Sequence, residues 1–182
     1  MSWYEIVEGS NLFQGDILQR CPVFTVAGQL TWPLSDKNAD IGIAVTEYDL
    51  VIMSQSCDLQ NDKVNDVLLA QVMAWEDVVA TEMVSGNQII KSRKFRKLLI
   101  DGNVPGLSLL HEHTEEPILQ WSVVDFHRLF TLPKTFIQQY ATNLGPRLRL
   151  KSPYREHLSQ AFARYFMRVG LPHDASAFEQ AF

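Results

Sequence analysis

Cys57 is the side chain in this sequence best suited to nucleophilic chemistry, and Ser54, Gln55, Ser56 and Asp58 stand beside it. A thiol becomes an effective nucleophile when a neighbouring base or cation lowers its pKa. His127 is the leading candidate for that base, with Asp125 or Asp58 as the carboxylate that would orient the imidazole. A structural thiol is the competing reading, because free cysteine is often buried and Asp58 with Asn61-Asp62 also suits a turn. Even without catalysis, Ser54, Gln55, Cys57 and Asp58 facing Asp125 to Arg128 would make a ligand surface, with Arg128 supplying a cation.

A second set of groups is Lys91, Arg93, Lys94, Arg96 and Lys97, five positive charges within seven residues. Phosphate binding, and hence nucleic acid, is one use; neutralisation by acidic residues of the same chain is the other. Phe95 is the only aromatic residue inside the segment, which leaves little material for base stacking. His111 and His113 have the i, i+2 spacing of a metal half-site on a strand, set against a solvated loop. There is no Cys-x-x-Cys, no His-Glu-x-x-His and no assignable further ligand, so no metal and no cofactor is expected. Arg147 and Arg149 alternate with Leu148 and Leu150 as on an exposed strand edge, with salt bridging as the alternative. His157, Arg164 and Arg168 share one basic helical face.

These groups need elements to hold them. Leu50-Val51-Ile52-Met53 is a continuous apolar run that predicts a buried strand ending at Ser54. Short strands are also predicted over 3–7, near 17–18, over 23–27, 41–46, 67–72 and 107–110, and a long one over 121–132. A tight connection at Glu47-Tyr48-Asp49 would separate two of them. In the long strand Val124, Phe126, Arg128 and Phe130 share one face, with Val123, Asp125, His127 and Leu129 on the other. Residues 32–40 read as a polar loop. Helices are predicted over 75–84 and 87–100, from Pro133 to Leu144, and from a Ser152 cap with Pro153 in the first turn to a stop at Gly170.

The chain of 182 residues, 46% hydrophobic and 20% charged, fits one folded domain spanning 1–182. No apolar run is long enough to span a membrane, and the first residues lack the pattern of a signal peptide. With two cysteines and no disulfide framework, a cytoplasmic location is expected. Charge is divided: residues 1–90 hold 3 basic and 13 acidic side chains, a net of −10, and residues 91–182 hold 13 and 8, a net of +5. Such asymmetry can orient a partner or hold the two halves together.

Gly15-Asp16-Ile17, the strands Leu50 to Ser54 and Val67 to Val72, and Ser122 to Leu132 followed by a helix resemble the PemK/MazF-like toxin family. The resemblance spans roughly 12–145. It implies an α+β fold: a small SH3-like β-barrel over about 12–132 with a helical insertion at 75–100, and packed C-terminal helices over about 133–170. Family members of this kind are commonly ribonucleases acting on single-stranded RNA. They use a basic residue ahead of the second main strand and a Thr/Ser pair after the third. Here Glu47-Tyr48-Asp49 and Met73-Ala74-Trp75-Glu76 occupy those places. Phosphodiester cleavage needs stabilisation of added negative charge, so the resemblance carries the barrel and not the activity. The resulting expectation is a cytoplasmic binding or accessory module that meets a protein partner, with oligomerisation left open. The alternatives are a divergent ribonuclease using Lys91, Arg93, Lys94 and Arg96, or a thiol-dependent hydrolase using Cys57 and His127.

Overall fold

The computed structural model describes residues 2–28 and 42–167, so the expected loop at 32–40, the stop at Gly170 and Arg168 lie outside the described residues. The fold is α+β with two antiparallel sheets. In one, β1 (Tyr4–Val7) pairs with β7 (Arg147–Leu150). The other has the order β2-β3-β4-β6-β5, formed by β2 (Ile17–Val26), β3 (Ile43–Ile52), β4 (Asp66–Ala74), β5 (Leu107–Leu110) and β6 (Ser122–Pro133). Asp16 forms an isolated bridge with Arg149 between the two.

The apolar run of β3 is explained by burial on both faces. Val51 and Met53 enter one core cluster with Ile17, Val72, Phe126 and Leu148, whereas Leu50 and Ile52 enter a second with Leu18, Leu69 and Ile137. A strand buried on one side only would alternate. Helix α4 (Lys134–Leu144) covers the second cluster through Ile137 and Ala141. Helix α5 (Tyr154–Phe166) covers the first through Leu158, Ala161 and Phe162. The inserted α2 (Trp75–Val84) and α3 (Arg93–Ile100) form a third cluster, in which Val78, Ile90 and Leu99 meet Val123.

Several local expectations change. Residues 17–26 form one strand, bent by a bulge between Leu18 and Cys21. Arg20 sits there at φ 54°, its N–H donating to Asp49 Oδ1 at 2.7 Å and its Nε to Glu47 Oε2 at 3.0 Å. Glu47 and Asp49 thus serve this bulge and do not make a turn, so β3 runs unbroken through them. The expected helix over 87–100 divides into a 3-10 turn, Gln88–Lys91, and α3. Extended Ser92 interrupts it and caps α3, its Oγ accepting the Phe95 N–H at 3.1 Å. Helix α5 lacks the Ser152 side-chain cap, and Pro153 occupies the capping position.

At Arg147 and Arg149 the expected exposed edge is not formed, and the salt bridging set against it is. Both arginines are buried and both bind Asp16, which is fully buried at the start of β2. An alternating Arg-Leu pattern looks the same whether the cations meet water or a buried carboxylate.

Candidate functional site

Met53 ends the buried run, and the chain then turns out of the sheet. Ser54 Oγ accepts the Leu68 N–H at 2.8 Å. Gln55 is the N-cap residue of α1 (Ser56–Gln60), its carbonyl accepting the N–H groups of Asp58 and Leu59, each at 3.1 Å. Cys57 therefore lies in the first turn of a short helix, where a polar strand exit is expected from sequence. Lys134 anchors α1 from α4: its nearly buried Nζ donates to Leu59 O and, at 2.5 Å, to Asp62 Oδ1.

The Cys57 thiol is exposed, with Sγ 3.6 Å from Gln55 Oε1 and 3.7 Å from Asp58 Oδ1. Asp58 also lies 3.9 Å from Lys63 Nζ. An open depression of about 460 Å³ here is lined by Phe13, Gln14, Gln55, Ser56, Cys57 and Arg155. Gln14 was not legible as part of this site. Its N–H donates to Ser56 Oγ at 3.1 Å, its Nε2 to Met53 O at 2.8 Å, and its Oε1 accepts from Ser159 Oγ at 3.0 Å. Cys21, by contrast, is fully buried, and burial pushes its thiol up to about 12. One thiol should therefore react quickly with a maleimide in the native chain and both in denaturant, read by intact mass. Cys57→Ser should remove the fast reaction, and rapid labelling of Cys21 would contradict this assignment.

Asp125 and His127 do come together. Asp125 Oδ1 accepts the His127 backbone N–H at 2.9 Å and lies 2.8 Å from Nδ1. In the neutral ring this contact keeps the proton on Nδ1 and leaves Nε2 as the acceptor. A break in the register of β4 and β6 produces the placement: Ala70 pairs with Leu129 but Gln71 pairs with Asp125, leaving 126–128 bulged. Phe126 turns into the core, its N–H bonded to Gly106 O at 2.8 Å, and the His127 ring lies over Gly106 and beside Tyr165. A simple two-face alternation through 123–130 is therefore interrupted. A cavity of about 280 Å³ is lined by Asp125, His127, Glu82, Asn87, Ile90 and Phe95 among others.

Cys57 and His127 line different cavities and share no hydrogen bond or ring contact among the described residues. The carboxylate-imidazole half of the expected arrangement is formed, and the thiol stands apart from it. Exposed Arg128 donates to Gln71 Oε1 at 3.4 Å. His111 and His113 point to separate partners: His111 packs 4.3 Å from the Trp121 ring, and His113 Nδ1 lies 2.9 Å from both Glu115 O and Pro117 O. Among the described residues no group of three potential metal ligands occurs, and no helix is long and apolar enough to cross a membrane.

The basic segment is exposed, and none of Lys91, Arg93, Lys94, Arg96 and Lys97 makes a salt bridge among the described residues. Internal neutralisation by the acidic half, one of the expected uses, involves no direct ion pair to these five residues among the described residues. Beside this segment is a cleft of about 530 Å³ lined by Trp3, Trp75 and Trp121 with Arg96, Leu99 and Leu109. The three indoles come from the strand β1 margin, the β4–α2 junction and the approach to β6. The Trp75 backbone N–H donates to the Trp121 carbonyl at 2.7 Å, which ties two of these margins together. Sequence alone offered only Phe95 as an aromatic neighbour of the cations; the sole signal for the cleft was tryptophan recurring at element ends.

In comparisons with known proteins, no family model matches the chain and no curated protein matches it.

Proposed function

We propose that this chain is a cytoplasmic binding module built on a PemK/MazF-like barrel, that it does not act as an enzyme, and that its ligand surface is the tryptophan cleft. The observation carrying this reading is the convergence of Trp3, Trp75 and Trp121 on one concave surface beside cations that make no salt bridge among the described residues. Concave, largely apolar sites with a few polar groups are the usual form of ligand pockets. Two features support a barrel: the Asp16–Arg149 bridge between the sheets, and the bulges that bend β2 and β6. Two free cysteines are in keeping with a reducing compartment.

A specific observation favours a second reading. The Asp125–His127 pair faces a cavity that also holds Glu82, so an acid-base hydrolase or nuclease could operate here without Cys57. A turnover assay separates the two. Purified chain incubated with single-stranded RNA or an activated ester should give no more product than a His127→Ala variant. Turnover that disappears in His127→Ala and Glu82→Gln but survives Cys57→Ser would sink the binding-module reading and establish the second.

A further inference from the structure

The cleft is continuous with a second groove of about 330 Å³, the two sharing Trp3, Leu99, Ile100 and Leu109. The second groove runs along α5 past Leu158 and Ala161 to Arg164. Together they make an elongated trough between α3 and α5. Its walls combine aliphatic side chains such as Leu99, Ile100, Leu109 and Leu158 with the three indoles. The indoles also have ring partners already: Trp3 stacks on Tyr154 at 4.1 Å and 11°, Trp75 lies parallel to Phe95 at 6.3 Å, and Trp121 meets His111 at 4.3 Å. Ile100 is 70% exposed and Trp121 39% exposed on this surface.

Cations outnumber carboxylates around the trough. Arg96 lines the cleft and Arg164 the adjoining groove, both without a salt bridge, and Asp101 is the one lining carboxylate of either, all among the described residues. Arg93 and Lys94 occupy the first turn of α3, which contains no acidic residue. Cations there oppose the helix dipole, so an incoming carboxylate would relieve an unfavourable arrangement.

Resting on the binding-module reading, we infer that the trough docks an acidic amphipathic segment of a protein partner. The apolar side chains of that segment enter the Trp3–Trp75–Trp121 cleft, and its carboxylates face Arg96 and Arg164, with Arg93 and Lys94 adding positive charge from the first turn of the same helix as Arg96. This is the helix-in-groove mode of recognition, with tryptophan and arginine as the anchors. The ring partners that the indoles already have favour this occupant over an unpaired nucleic-acid strand, which would need free aromatic faces for stacking.

The test is selection of a displayed library of random 16-residue peptides on the full chain, with counter-selection on Arg96→Glu. Enriched peptides should carry excess Asp and Glu and apolar residues at i, i+3, i+4 and i+7 spacing. Trp121→Ala should weaken a selected peptide by roughly thirtyfold, the scale of an interface anchor, while Ile6→Ala, at an exposed apolar site on β1, should leave it unchanged. Enrichment without an acidic bias, binding that survives Trp121→Ala, or no enrichment would overturn the inference. So would a 16-residue oligothymidylate that quenches tryptophan fluorescence in wild type and not in Arg96→Glu. That last result would leave a binding module with a different ligand, whereas the turnover assay alone decides against the module itself.

Discussion

Asp16→Ala is expected to destabilise the fold by about 3–5 kcal/mol, the scale for removing one partner from a buried ion pair. Asp16 receives Arg147 Nε at 2.9 Å and Arg149 Nη2 at 2.9 Å, and Arg149 Nε contacts its other oxygen. The Phe13 N–H adds a bond at 3.3 Å. The arginines use their remaining donors on Gly9 O and Asn11 O, and Phe13 stacks 4.0 Å from the Arg149 guanidinium. Alanine would leave two guanidinium groups buried without their counter-charge, and the bridge between the sheets would lose its anchor. Asp16→Asn keeps the volume and loses the charge, so it should fall between wild type and alanine. Urea midpoints measure the effect. A loss below about 1 kcal/mol for Asp16→Ala, the range of exposed pairs, would mean that water reaches these arginines.

Gly106→Ala is expected to cost about 2–4 kcal/mol, from two separable causes. Gly106 has φ +84°, a region that an L side chain enters at a cost of about 1–2 kcal/mol. An added Cβ would also stand 3.0 Å from His127 Nδ1 and closer still to Cε1, so the ring must leave its seat. In a His127→Ala background the second cause disappears, and the same substitution should cost only the backbone part. Comparing Gly106→Ala in the two backgrounds by denaturant unfolding isolates the steric term. Equal costs would show that His127 does not rest on Gly106. Displacing the ring should also break its 2.8 Å contact with Asp125, visible as a changed His127 imidazole resonance.

Much of the scaffold was legible because its signals are local. The helices over 75–84 and from Pro133 to Leu144 and the strand at 67–72 follow from periodicity and from breakers at their ends. The divided insertion is a case where local signals competed: residues 87–100 read as one helix, but Ser92 gains more as an N-cap of α3 than as an interior residue. The candidate site was legible in fragments. Asp125 and His127 were readable as a pair because they stand two residues apart, and a bulge brought them together.

What the sequence by itself determined is the set of elements and the chemistry each carries: a strand buried on both faces at Leu50 to Met53, a thiol just beyond it, a carboxylate-imidazole pair, and a cationic helix. Tertiary structure decided which of these meet. It separated Cys57 from His127, buried Arg147 and Arg149 against a carboxylate 131 and 133 residues away, and gathered Trp3, Trp75 and Trp121 around α3. Periodicity states which face of an element is apolar, but a contact between distant side chains depends on how the elements pack. That packing is set by non-local burial and by buried charges finding partners, which no short stretch of sequence records.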